Sequence, residues 1–202
     1  LPLTVLNFFV QQCVQLGLRK LKPSNFHMTL FFIGNVEERL VTILLERAKN
    51  IRVTPISLEF NELDYWPKPK VLCLTCQRQP MSLYNLVNAL NLMMADLPIR
   101  QEARPFRAHI TLARKAKKRP RITFKPVSLA AESFALVESI STEDGIQYQV
   151  IESWPLREGS FYLLNVGSDC QVADSANQNS SFTPSKRYKP SGRSFLTVEI
   201  SG

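Results

Sequence analysis

Apolar and polar positions along this chain alternate between two periods. From Leu1 to Leu18 the apolar residues recur at helical spacing, with Pro2 suited to a first turn and Gly17 to an end, so an amphipathic helix is predicted there. Glu37 to Ile51 places Leu40, Ile43, Leu44 and Ala48 on one face with charges between them, and Ser82 to Leu97 does the same with Leu83, Leu86, Val87, Leu90 and Met94. Between the helices the period shortens. One strand runs to a stop at Gly34, and Ile56 to Trp66 and Val71 to Cys76 read as two more, joined by the turn chemistry of Pro67-Lys68-Pro69. Strands interleaved with helices in this way predict α+β or α/β packing. From Gly167 to Gly192 the apolar content gives way to small, amide, acidic and basic residues, which predicts a polar linker. Arg193 to Gly202 then returns to strand chemistry, and a packed strand and a disordered tail both stay open for it.

Bulk properties narrow the function classes. A chain of 202 residues suffices for one domain or two small lobes. No apolar run approaches the roughly 20 residues needed to span a bilayer, and no secretory leader is visible. The four cysteines favour a reducing compartment over a disulfide framework. Cys73 and Cys76 form a C-x-x-C, but a strand there sends the two thiols to opposite faces, and no second such pair completes a zinc ribbon. Cys13 sits in the apolar pattern of the first helix and reads as core. A net charge of +8 favours a polyanionic partner.

The candidate chemistry lies in a repeat. Lys22-Pro23-Ser24-Asn25-Phe26-His27-Met28-Thr29-Leu30 and Arg104-Pro105-Phe106-Arg107-Ala108-His109-Ile110-Thr111-Leu112 share the pattern basic-Pro-x-x-x-His-x-Thr-Leu, 82 positions apart (109 − 27), and hold both histidines of the chain. On a strand, His and Thr two apart project from one face, roughly 7 Å apart along the chain, while Met28, Leu30, Ile110 and Leu112 point the other way. Two such strands facing each other offer two imidazoles and two hydroxyls to something between them. A phosphate diester suits that set: a neutral imidazole takes a proton from water, an imidazolium gives one to the leaving oxygen, and the threonines donate to the non-bridging oxygens. Zinc takes four ligands, or three and water, and nothing beside these histidines supplies them, so the chemistry is expected to be free of metal and cofactor. Phe31 is in phase with His27 and Thr29 and is a candidate to stack on a base, although an aromatic on a strand is more often core. Arg114, five past His109, falls on the opposite face of a regular strand and reaches the site only if the strand ends or bulges near Ala113. Arg114 to Arg121 holds six basic residues in eight, either a solvated loop or a contact for an RNA backbone.

In these residues the sequence resembles the two-histidine phosphoesterase superfamily, and within it the bacterial and archaeal RNA 2′,3′-cyclic phosphodiesterases, once described as 2′-5′ RNA ligases. Asn25 to Gly34 resembles the first motif, Arg104 to Arg114 the second, Trp66 to Leu74 the middle strand pair, and Ser133 to Ser139 with Tyr148 to Val150 the closing strands. The resemblance implies an α+β, two-lobed, pseudo-symmetric fold in which antiparallel sheets line a central cleft and helices lie outside. It implies a phosphoesterase domain over residues 1–166, a linker over 167–192, and residues 193–202 as a strand completing the sheet. Family members begin with a short basic and apolar strand that runs into Leu-Pro, whereas this chain opens at Leu1-Pro2 and closes on a segment of that type, so a circular permutation is expected. The resemblance assigns His109 as proton acceptor and His27 as proton donor in opening a terminal ribose cyclic phosphate to a 2′-phosphate, Thr29 and Thr111 to the phosphoryl oxygens, and Arg114 to substrate binding. The implied partner is an RNA end carrying a 2′,3′-cyclic phosphate, met by a cytoplasmic monomer. Two alternatives stay open: a two-histidine enzyme acting on 2′-5′ oligoadenylate or an ADP-ribose cyclic phosphate, and a non-catalytic RNA-end binder.

Overall fold

A computed structural model describes residues 3–15, 17–20, 25–143, 145–159 and 194–200. In chain order these form α1 (Leu3–Gln15), β1 (Arg19–Lys20), β2 (Met28–Gly34), α2 (Glu38–Ala48), β3 (Ile56–Phe60), β4 (Glu62–Trp66), β5 (Val71–Thr75), α3 (Met81–Met93), β6 (His109–Arg114), β7 (Val127–Ala131), β8 (Ser133–Thr142), β9 (Gly145–Pro155) and β10 (Ser194–Ile200). The predicted residues 167–192, and the Lys22-Pro23-Ser24 part of the first motif, lie outside the described residues.

Two four-stranded antiparallel sheets carry the fold, one in the order β1-β6-β5-β4 and the other in the order β2-β10-β8-β9. A two-stranded ribbon, β3 with β7, links them, because β3 runs through Asn61 into β4 and β7 runs through Glu132 into β8. The stretch from Ile56 to Trp66 is therefore two strands in two sheets, where the sequence suggested one. Asn61 makes the break: its N–H donates to the Thr75 carbonyl at 3.2 Å and its Oδ1 accepts from the Gln77 N–H at 3.2 Å, so the chain leaves one ladder and enters another. The apolar phase records the same slip. Ile56, Leu58 and Phe60 are buried before it and Leu63 after it.

Burial of one face per element holds these parts together. From β2 the core takes Met28, Leu30, Phe31 and Ile33, which join Leu44 of α2, Leu86 and Leu90 of α3, and Phe134 and Leu136 of β8 in one cluster. Arg47 ties α2 to the end of α3, donating to the Met93 carbonyl at 2.7 Å and to both oxygens of Asp96. On the other lobe α1 buries Phe9 and Cys13, with the Phe9 ring edge-on to Phe124 at 5.2 Å. β10 is an inner strand of its sheet, pairing Ile200 with Met28 on one side and with Phe134 on the other. Ile200 and Thr197 are both buried.

Cys13, Cys73 and Cys76 are free and buried, and burial pushes their thiols up to about 11, about 12 and about 11 respectively, far from the range of a reactive thiolate. None of the helices is long and apolar enough to cross a membrane among the described residues.

Candidate active site

β2 and β6 belong to different sheets and pack against each other, which brings the two His-x-Thr motifs together. His27 immediately precedes β2 and His109 opens β6; both are half-buried, as are Thr29 and Thr111. Beneath them Met28, Leu30, Ile110 and Leu112 are buried, as strand alternation demands. The backbone two residues upstream bears on each imidazole. His109 Nδ1 lies 2.9 Å from the Arg107 carbonyl; a carbonyl only accepts, so Nδ1 carries the hydrogen and Nε2 is left for chemistry. At His27 the backbone of Asn25 likewise favours the protonated ring.

Both strands then break their alternation at the same place. On β6, Thr111 pairs with Cys73 and Ala113 with Leu72, so Leu112 has no partner on β5. On β2, Thr29 pairs with Glu199 and Phe31 with Val198, so Leu30 has no partner on β10. Each is a bulge three residues past the histidine, and a bulge reverses the phase of everything after it. Leu112 and Ala113 are buried in succession and Arg114 emerges; Leu30 and Phe31 are buried in succession and Phe32 emerges, 57% exposed. Arg114 thereby reaches the site, where its charge acts on His27.

An aromatic from the outer strand of each sheet walls each imidazole. The Tyr148 ring of β9 lies 4.3 Å from His27, and the Trp66 ring of β4 lies 4.6 Å from His109. Asp64 holds the second of these walls, because Trp66 Nε1 donates to its Oδ2 at 3.1 Å and Arg107 Nη1 sits 3.0 Å from the same oxygen. One carboxylate thus steadies both neighbours of His109, the ring beside it and the residue whose carbonyl orients it.

Electrostatics lower the basicity of both histidines. Burial is the largest cause for each; it is opposed by the backbone of Asn25 or Arg107 and reinforced at His27 by Arg114 and at His109 by His27 and Arg107. The effect of His27 on His109 agrees with the packing of β2 against β6 that brings the two rings near each other. Free of ligand, that site favours neutral imidazoles and then welcomes an anion, whose charge reverses the balance.

The family model for LigT-like phosphoesterases matches residues 7–73, which include the first motif. The RNA 2′,3′-cyclic phosphodiesterase of Escherichia coli is 29% identical over 144 residues, covering 69% of this chain and 81% of that protein. The protein of the same name from Archaeoglobus fulgidus is 26% identical over 125 residues, covering 60% and 70%. Among solved structures, E. coli LigT complexed with 3′-AMP superposes with a TM-score of 0.68 at 27% identity, over 77% of this chain and 93% of that one. The chain is similar to the LigT-like phosphoesterases in sequence and in fold. TT0787 of Thermus thermophilus is similar too, with a TM-score of 0.64 at 26% identity over 79% and 96% of the two chains.

Within this LigT-like fold, His27 lies near His109 and near Arg114, and Thr29 and Thr111 stand two past each histidine on the packed strands β2 and β6. Phe31 does not join them: it is 7% exposed and packs in the core, because the bulge at Leu30 turns it inward. Phe32 takes the surface position in its place. The sequence does not mark Tyr148, Trp66 and Asp64 as site residues, since they come to the histidines through pairing of β9 and β4 that no local pattern announces, and Arg107 stands inside the second motif, two residues before His109.

Proposed function

We propose that this chain hydrolyses the 2′,3′-cyclic phosphate at an RNA end to a 2′-phosphomonoester, without a metal ion. Water attacks phosphorus in line with the bond to the 3′ oxygen. His109 takes the proton from that water, the phosphorus–O3′ bond breaks, and His27 gives its proton to the departing 3′ oxygen. The histidines exchange roles in proton number and reset through solvent, so atoms and charge balance over the cycle. Thr29 and Thr111 donate to the non-bridging oxygens, and Arg114 adds positive charge where negative charge accumulates.

The observation that carries this reading is the packing of β2 against β6, which brings His27 and His109 from distant parts of the chain near enough for the charge of one to lower the basicity of the other. The relatives named RNA 2′,3′-cyclic phosphodiesterase support the substrate. An oligonucleotide ending in a 2′,3′-cyclic phosphate, incubated with the protein and a chelator, tests the proposal. The expected product carries a 2′-phosphate at an undiminished rate; a 3′-phosphate, or loss of activity with the chelator, contradicts it.

A further inference from the structure

A cavity of about 630 Å³ lies along the outer edge of β4, away from the histidine pair. Asn61, Glu62 and Gln77 form its strand side, and the loop from Arg119 to Phe124 forms the other. A chain of contacts joins it to the site. His109 touches Trp66, Trp66 donates to Asp64, Asp64 pairs with Arg107, Arg107 lies 3.9 Å from Glu62, and Glu62 accepts from Gln77 Nε2 at 3.1 Å. In the sheet Glu62 pairs with Thr75, and Thr75 with His109, so the cavity wall stands two strand spacings from the histidine backbone, about 10 Å.

The charge along the loop side is one-sided. No Asp or Glu occurs between Glu102 and Glu132, and the basic run that begins with Arg114 at the histidines ends with Arg119 and Arg121 in the cavity. Both of these arginines are exposed. The nearby carboxylates are engaged elsewhere, Asp64 and Glu62 by Arg107 and Gln77. Between the two arginines Pro120 limits the backbone, and Ile122 and Phe124 give the cavity an apolar part. Cations beside an apolar surface, in an open polar trough, suit a sugar-phosphate chain better than a compact small molecule.

We infer that this cavity binds the RNA backbone on the 5′ side of the terminal cyclic phosphate, with Arg119 and Arg121 on its phosphates, so that an oligonucleotide is preferred to a nucleoside cyclic phosphate. The inference rests on the proposed hydrolysis of an RNA end at the histidine pair. Neither arginine belongs to that pair's machinery, and both side chains face solvent.

The double variant R119A/R121A separates the two ideas. Its KM for an oligonucleotide ending in a 2′,3′-cyclic phosphate should rise roughly tenfold at low salt, and the slope of log KM against log salt should fall by about 1.4, the value for two phosphate contacts on a single strand. Its kinetics on a nucleoside 2′,3′-cyclic phosphate should match the wild type. An unchanged oligonucleotide KM and salt slope would overturn the cavity assignment while leaving the hydrolase reading intact. Should the wild type turn over neither substrate, the hydrolase reading fails, and the anisotropy of a labelled oligonucleotide ending in a 2′-phosphate decides the cavity. Weaker binding by the double variant supports the site, and equal binding removes it.

Discussion

Arg114 and Phe32 occupy equivalent places in the two lobes. Each lies five residues past its histidine and two past a bulged leucine, and each emerges on the face that carries His and Thr. The repeat therefore extends beyond the His-x-Thr-Leu letters to the backbone. At its end the two copies diverge, one supplying a cation and the other an exposed aromatic ring.

The cation should set the alkaline side of the pH profile. Burial is the main cause that lowers the His27 pKa, and Arg114 lowers it further. With His27 as proton donor, kcat/KM falls as pH rises through its pKa, so the wild-type alkaline limb should lie below the ordinary histidine value of about 6.5. Arg114→Ala removes the repulsion. The His27 pKa then rises and the alkaline limb moves to higher pH, even as kcat/KM itself falls. A pH profile of kcat/KM for both proteins checks the direction; a limb that stays in place or moves lower contradicts it.

The ring should matter for binding and its neighbour for stability. Phe31→Ala empties a buried position and should cost about 3–5 kcal/mol in chemical denaturation. Phe32→Ala should leave stability nearly unchanged and raise KM for an RNA end about tenfold, as loss of a stacked base does. If Phe31→Ala instead raises KM with stability intact, the phase assigned to β2 is wrong.

Asp64 should act through His109. Removing its carboxylate in Asp64→Ala releases both the Trp66 indole and the Arg107 side chain. A misplaced imidazole lowers turnover, so kcat should fall by roughly ten- to a hundredfold with a smaller change in KM. Asp64→Glu, which keeps an acceptor and a charge, should recover part of the loss. Steady-state kinetics of the two variants decide this, since a purely structural role would give folded enzyme with normal kcat in both.

β10 should be indispensable to the sheet that carries His27. It separates β2 from β8, and its removal leaves two long unpaired edges and exposes the core around Ile200. A chain lacking residues 193–202 should show no cooperative thermal transition near that of the full chain. A stable, active truncation would exclude this role for the strand.

Much of the site was legible in the sequence because the chemistry and the fold used the same letters. Two histidines in identical contexts, each followed by Thr and an apolar residue, announce strand faces and a shared site together. The bulges were harder to read, since strict alternation is the default for a strand. Their trace is the doubled apolar pair at equal offset, Leu30-Phe31 and Leu112-Ala113, visible only when the two motifs are laid over each other. Asn61 left a similar trace, a slip of the apolar phase between Phe60 and Leu63 inside what looked like one strand. Tyr148, Asp64 and the cavity at Arg119 depend on register and loop packing between distant segments. No local pattern encodes those contacts.

The convergence of the two imidazoles is open to direct measurement, because the chain has only two histidines and hence two ring Cε1–H resonances in a proton NMR titration. Both should titrate below about 6.5 in the free protein, and binding of an oligonucleotide bearing a 2′-phosphate should move both to higher pH together. In His27→Ala, with its opposing charge gone, the remaining His109 resonance should titrate higher than in the wild type. Two resonances that titrate independently, with His109 unmoved by the loss of His27 and only one of them responding to the ligand, would contradict a shared site.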